Sequence, residues 1–238
     1  MAPFPHIVIE PALPAETFAQ LARDYPEDWV VEKGGHESDF TCRYFTREAL
    51  SEGRLPPLWA DFVRYHTSDA FFREAVQLLM PALETWYPER LDFIRRARTV
   101  PRGMGAGDIE LETQFVVNLP CAESVRSPHL DNPRELYALL FYMRRDDDSS
   151  SGGDLEVFER RDAEVRMHGR READPGNLGL AKSIAYAPNK TLLFLNTPQS
   201  FHGVSPRRDM LRNRRYLNII AEVSKRRGVL LRKEKPWF

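Results

Sequence analysis

Apolar residues in the first ninety positions recur at helical spacing; beyond them they fall into short runs and alternations that read as strands. Ile7-Val8-Ile9, a β-branched run after Pro3 and Pro5, predicts a short strand at a sheet edge. Phe18, Leu21 and Ala22 predict a helix over Pro14–Ala22, stopped by Pro26. Residues 29–54 are mixed, with Gly34-Gly35 as a break and Arg43-Tyr44-Phe45 as a short strand. Two more helices are expected, one from Pro57 toward Tyr65 and one over Asp69–Trp86 with Ser68 as N-cap. In the second, Phe71, Ala75, Leu78, Leu79, Ala82 and Leu83 form the expected packing stripe, and Pro81 marks a kink point.

Strand texture begins near residue 91. The expected strands are Phe93–Val100, Ile109–Leu119, Leu136–Met143, Asp154–Phe158, Ser183–Tyr186, Thr191–Leu195, the segment around His202, and Tyr216–Val223. Many short strands with brief connections predict an antiparallel sandwich or jelly roll, mainly β with flanking helices. Asp146–Gly153 reads as a solvated hairpin tip whose Gly152-Gly153 pair permits positive φ. It lacks the closing glutamate of a calcium loop. Glu159–Lys182, dense in charge of both signs, is long for a loop and reads as a disordered segment or a lid. Without an internal repeat or long linker, one domain is expected: a helical and mixed buttress over 1–90, a β core over 91–224, and a basic tail over 225–238.

Composition narrows the function classes. The chain has 238 residues, 42% of them hydrophobic, enough for a sizeable core. A formal net charge of -1 argues against a general nucleic-acid binder. Cys42 and Cys121 make no disulfide framework, and reduced thiols in a cytoplasmic protein are expected. No apolar run reaches membrane-spanning length, and Met1–His6 shows no basic region leading into an apolar stretch.

Candidate chemistry concentrates at Ser127-Pro128-His129-Leu130-Asp131-Asn132-Pro133 and Ser200-Phe201-His202-Gly203-Val204. In an extended strand, positions i and i+2 share a face, so His129 and Asp131 could converge, and His202 could close a triangle. Two imidazoles and one carboxylate on one face of a metal leave the opposite positions open, the donor pattern of non-haem Fe(II) oxygenases. His6, His36, His66 and His168 show no ligand spacing, and Ser200 lacks the glycine frame of a hydrolase nucleophile. Gln114 and Asn118, four apart on one strand, either face a substrate or pair with backbone.

The order of several blocks resembles the 2-oxoglutarate- and Fe(II)-dependent dioxygenases, and more narrowly their prolyl-4-hydroxylase-like branch. These blocks are His129–Pro133, Leu139–Met143, Ser151–Phe158, Pro188–Leu195, Phe201–Pro206 and Arg214–Ile219, spanning about residues 110 to 224. The resemblance implies a double-stranded β-helix (jelly-roll, cupin-like) core, with His129, Asp131 and His202 as iron ligands. It also implies an arginine on the strand after the second histidine to hold the cosubstrate's far carboxylate, for which a planar guanidinium is suited. Arg215, directly before Tyr216-Leu217-Asn218-Ile219, is the expected anchor; Arg212 is the alternative. Tyr142 matches the tyrosine that shares that carboxylate. The implied chemistry uses Fe(II), 2-oxoglutarate and O2, releases succinate and CO2, and oxidises a C–H bond, hydroxylation being the default. Asp131 speaks against halogenation, since the related halogenases lack this carboxylate. A small-molecule substrate is expected, favoured by the compact size; a protein or peptide hydroxylase and a non-enzymatic metal-binding jelly roll are the alternatives.

Overall fold

The helices of the N-terminal part pack on one face of a sheet to which both halves of the chain contribute strands. A computed structural model describes residues 3–33, 35–36, 40–121, 126–161, 165–168 and 171–230. The N-terminal part holds β1 (His6–Ile9), α1 (Ala15–Arg23), α2 (Glu27–Lys33), β2 (Gly35–His36), β3 (Thr41–Tyr44) and α3 (Thr46–Ser51). It continues with α4 (Pro57–His66), α5 (Asp69–Trp86), α6 (Leu91–Arg96) and β4 (Thr99–Pro101). Next come β5 (Ile109–Asn118), β6 (Arg126–His129), β7 (Glu135–Tyr142), β8 (Leu155–Arg160), β9 (Met167–His168) and β10 (Glu172–Ala173). The chain closes with β11 (Leu178–Ile184), β12 (Lys190–Leu195), β13 (His202–Val204) and β14 (Arg214–Val223).

Two sheets face each other. The larger runs β1-β12-β7-β14-β5-β3-β2, with β4 parallel to β5; the smaller runs β11-β8-β13-β6-β10-β9. From β5 to β8 and again from β11 to β14, successive strands alternate between the sheets, and their pairings are antiparallel. This is the double-stranded β-helix, or jelly roll. The N-terminal segment is part of the same sheet, since β1 pairs with β12 and β3 with β5.

Strand parity decides what each face of the larger sheet touches. Leu217, Ile219 and Ala221 of β14, with Phe115 and Val117 of β5 and Leu139 and Phe141 of β7, pack against helix residues such as Trp59, Phe72 and Leu83. The opposite parity, Ala138, Leu192 and Phe194, meets Leu155 and Val157 of the smaller sheet. Covered on both sides, β5 is buried at nearly every position, so its sequence reads as a run more than an alternation. No helix among the described residues is long and apolar enough to cross a membrane.

Several local expectations shift. Ser68 Oγ accepts from the Phe71 N–H and caps α5 as expected, and the helix runs through Pro81 to Trp86. Its buried stripe, however, is Phe72, Ala75, Val76, Leu79 and Leu83, with Leu78 54% exposed. Phe93–Arg96 lies in α6 where a strand was expected. Asp92 and Arg95-Arg96 complement its dipole, and the Arg73 guanidinium donates to the carbonyls of Ile94, Arg95 and Ala97, which the helix end leaves unbonded. The short helices α2 and α3 arise in the stretch that reads as mixed.

The Asp146–Gly153 segment is a sheet-to-sheet connection, where a solvated hairpin tip was expected: Asp148 and Ser150 are buried, and Arg207 bonds to both. Gly152 and Gly153 do take positive φ; a Cβ on Gly152 would lie 2.0 Å from the Pro206 carbonyl oxygen. The 159–182 stretch is not one long loop. It carries β9, β10 and the start of β11, and Glu172 of β10 pairs with His129 of β6. In the tail, Arg226 and Arg227 pair with Asp108, while 231–238 lie outside the described residues.

Candidate metal centre

Two imidazoles meet because β6 and β13 are neighbours in the smaller sheet, with His129 directly opposite His202. Their ring centroids lie 4.3 Å apart. The Nδ1 of His129 sits 2.8 Å from the Ser127 carbonyl and that of His202 2.8 Å from the Ser200 carbonyl. A carbonyl can only accept, so each Nδ1 is the donor of its bond and each Nε2 is left free to meet another partner. Both Nε2 atoms face Asp131: His129 Nε2 is 3.6 Å from Oδ1 and His202 Nε2 is 3.6 Å from Oδ2. The three ligand atoms lie within 4.8 Å of one another.

The route to this geometry differs from the i, i+2 argument. β6 ends at His129, and Asp131 lies beyond the strand, in the turn leading to β7. Leu130, between them, donates its N–H to the Arg171 carbonyl, so the chain is held on its other edge as it leaves the sheet.

Burial, reinforced by His202, lowers the His129 imidazole to about 4. For Asp131, burial pushes the carboxyl up, but His202 and His129 outweigh it and hold the group well below the usual carboxylate range. A neutral imidazole and an ionised carboxylate are the protonation states that metal ligation requires. Burial, with repulsion from Asp131 and Glu222, drives the nearby Glu135 well above its ordinary value.

A second polar group lies further along the space between the sheets. Arg214, 1% exposed, has the interior parity of Tyr216 and Asn218. Its Nε donates to the Gly153 carbonyl at 2.9 Å and one terminal nitrogen to Asn118 Oδ1 at 3.1 Å. The rings of Tyr216, Tyr186 and Tyr142 surround its guanidinium carbon at 4.5, 4.9 and 5.2 Å. Its other terminal nitrogen, and the Tyr142 hydroxyl, are buried without a hydrogen-bond partner among the described residues. Burial raises Tyr142 to about 12, against the pull of Arg214, so its hydroxyl stays a donor. Two unsatisfied buried donors, one of them on a guanidinium that lies over the other's ring, fit an anion such as a carboxylate.

Arg215, the residue expected to serve this purpose, points the other way. It has the parity of Leu217 and Ile219, so its side chain leaves on the helix-covered face. There it donates to the Met143 carbonyl at 3.1 Å and pairs with Glu27 at 3.3 Å, over the Tyr25 ring. Arg212, the alternative, is exposed and pairs with Asp147 at 2.7 Å. The apolar Leu217, Ile219 and Ala221 mark the helix-facing parity of β14, and carrying that parity back places Arg215 on that face and Arg214 on the interior one. Asn118 and Gln114 face the interior and pair with side chains, Asn118 with Arg214 and Thr41, Gln114 with Arg43. His66 lies apart, bonded to the Phe62 carbonyl.

No family model and no curated protein matches the chain. Among solved structures it is similar to a prolyl-4-hydroxylase from Pseudomonas putida, with a TM-score of 0.51 and 14% identity over 94% of this chain and 95% of that one. It is also similar to a prolyl hydroxylase from Trichoplax adhaerens in complex with a hypoxia inducible factor oxygen degradation domain peptide fragment. There the TM-score is 0.51 and the identity 12%, over 94% of this chain and 86% of that one. At these identities the likeness concerns architecture: the chain has the double-stranded β-helix fold found in prolyl-4-hydroxylases.

Proposed function

We propose that the protein is an Fe(II)- and 2-oxoglutarate-dependent oxygenase that hydroxylates an unactivated C–H bond of a small metabolite or natural-product intermediate. The observation that carries this reading is the pairing of two sites in one inter-sheet space. A His129–Asp131–His202 donor set lies toward one end, and the unsatisfied donors of Arg214 and Tyr142 lie toward the other.

His129, Asp131 and His202 would hold the iron, two neutral nitrogens and one anionic oxygen leaving the remaining positions open. Arg214, in place of Arg215, would receive the far carboxylate of the 2-oxo acid, with the Tyr142 hydroxyl donating to the same group. Together, iron, 2-oxoglutarate and O2 supply an oxidant strong enough for a C–H bond, with succinate and CO2 released. The protein's part is geometric: the Nδ1 bonds to Ser127 and Ser200 fix both imidazoles, and the three-tyrosine cage fixes the Arg214 guanidinium. Apolar Leu192 and Phe194 keep the wall of this space dry.

No nucleic-acid or membrane partner is part of this reading, and the setting is cytoplasmic. The likeness to the Trichoplax adhaerens enzyme, which holds a peptide, supports a second reading in which the substrate is a protein or peptide side chain. The test is succinate formation from 2-oxoglutarate with Fe(II) across metabolite classes and proline-containing peptides. Stimulation by a metabolite class supports the first reading, and stimulation by peptides alone supports the second. Fe(II) titrations without any 2-oxoglutarate-dependent absorbance band would sink both.

A further inference from the structure

The Glu222 carboxylate, on the interior parity of β14 and 2% exposed, meets three partners. One oxygen accepts from the Arg134 guanidinium and, at 3.4 Å, from Asn132 Nδ2; the other accepts from the Arg102 guanidinium. Asn132 directly follows Asp131. Its carbonyl accepts from Asn196 Nδ2 at 2.9 Å and from the Glu135 N–H at 2.8 Å, and its Oδ1 accepts from the Arg134 N–H at 3.1 Å. The Arg134 carbonyl accepts from the Val223 N–H at 2.8 Å. A register shift between Ala221 and Glu222 brings Glu222 opposite Glu135, at the mouth of this turn. Because β6 stops at His129, the position of Asp131 depends on what holds the residues after it. Glu222 is the side chain on which two of them converge.

We propose that Glu222 is a positioning residue for the metal centre: through Asn132 and Arg134 it fixes the turn that carries Asp131 and so sets the affinity for a divalent metal. The inference rests on the metal-centre reading above. A buried carboxylate facing two guanidinium groups makes a stiff strut, since letting go would cost Arg134 its carboxylate partner and leave Arg102 with Glu112 alone of its two carboxylates. Groups that orient metal ligands from behind are worth about 10- to 100-fold in metal affinity.

Glu112 supplies the control. It is also 2% exposed and shares Arg102 at 3.4 Å, but its other oxygen accepts from the Thr46 N–H at 2.9 Å, in α3. Glu222→Gln and Glu112→Gln each neutralise a buried partner of Arg102, yet only Glu222 contacts the Asp131 turn. The experiment is a cobalt(II) titration of the full metal-free chain, followed by visible absorbance without cosubstrate, alongside thermal melts. Glu222→Gln is expected to weaken cobalt binding about 10- to 100-fold, while Glu112→Gln stays within about threefold although both lower the melting temperature. Asn132→Ala, which leaves both arginine pairs in place, is expected to weaken binding in the same direction and decides the matter should Glu222→Gln fail to fold. Cobalt affinity in Glu222→Gln or Asn132→Ala within threefold of the parent, or an equal loss in Glu112→Gln, overturns the assignment. Wild-type cobalt binding that His129→Ala leaves unchanged would overturn the metal-centre reading itself, and this inference with it.

Discussion

Arg214 and Arg215 are neighbours in β14 whose guanidinium groups leave the larger sheet on opposite faces, one into a cage of tyrosines and one onto Glu27. Under the proposed function they are therefore not interchangeable. Arg214→Met should raise the 2-oxoglutarate Kd by about 10- to 100-fold, the range for losing hydrogen bonds to a charged group. Arg215→Met should leave that Kd within about threefold and lower stability by about 2 kcal/mol, because Glu27 and the Met143 carbonyl lose their partner. Calorimetric titration and thermal melts on the two variants measure both quantities. A Kd that moves only in the Arg215 variant would return the anchor to that residue.

The donor set at His129, Asp131 and His202 predicts loss of succinate formation in His129→Ala and in Asp131→Ala. Asp131→Ala should keep the fold, since its carboxylate has 19% side-chain exposure and its ion-pair contacts are with the two histidines. Turnover retained in either variant would show that the reaction does not use this centre.

Much of this arrangement is legible in the sequence, and the parts that are not have identifiable causes. Ser68 announces α5 because a capping hydroxyl is a local device, read without knowing what the helix packs on. The stripe phase of α5 is not local. With apolar residues at 71, 72, 75, 76, 78, 79, 82 and 83, two stripes fit, and only the sheet beneath selects Phe72 and Val76 over Phe71 and Leu78. The face that each arginine takes is not local either: Arg214 and Arg215 are adjacent in β14, and a shift of one residue along a strand reverses the face. Asp148 reads as solvated in the sequence because three aspartates followed by three serines look like a surface turn, whereas its partner Arg207 lies 59 residues away.

That distant partnership carries a stability prediction. Arg207 and Asp148 are both almost wholly buried and lie 3.2 Å apart, with Ser150 Oγ accepting from the same guanidinium nitrogen at 2.7 Å. Asp148→Ala leaves a buried cation without its counter-charge and should cost about 3–5 kcal/mol. For a chain of this length that is a fall of about 10 °C in melting temperature. A double Asp148→Ala/Arg207→Met variant should recover part of the loss, and a melt unchanged by the single substitution would refute the pair's importance.

His66 gives the acid limb of stability a specific source. Its ring stacks on Phe62 at a centroid distance of 3.9 Å and lies 4.5 Å from Phe71, and burial lowers it to about 4, against the Phe62 carbonyl bond, which raises it. The folded state therefore resists protonation that the unfolded chain accepts near 6.5. Between about 6.5 and 4 the unfolded state holds more protons, so stability is fully present above 6.5 and falls as the pH drops toward 4. The gap corresponds to at most about 3 kcal/mol, and partial solvent access to the ring brings the expectation to about 2 kcal/mol. Urea unfolding at pH 7 and pH 4.5 on the parent and on His66→Gln measures it, since His129 contributes equally to both proteins and cancels. The variant should lose less stability on acidification than the parent; equal losses would mean that the His66 ring takes up its proton without leaving the aromatic stack.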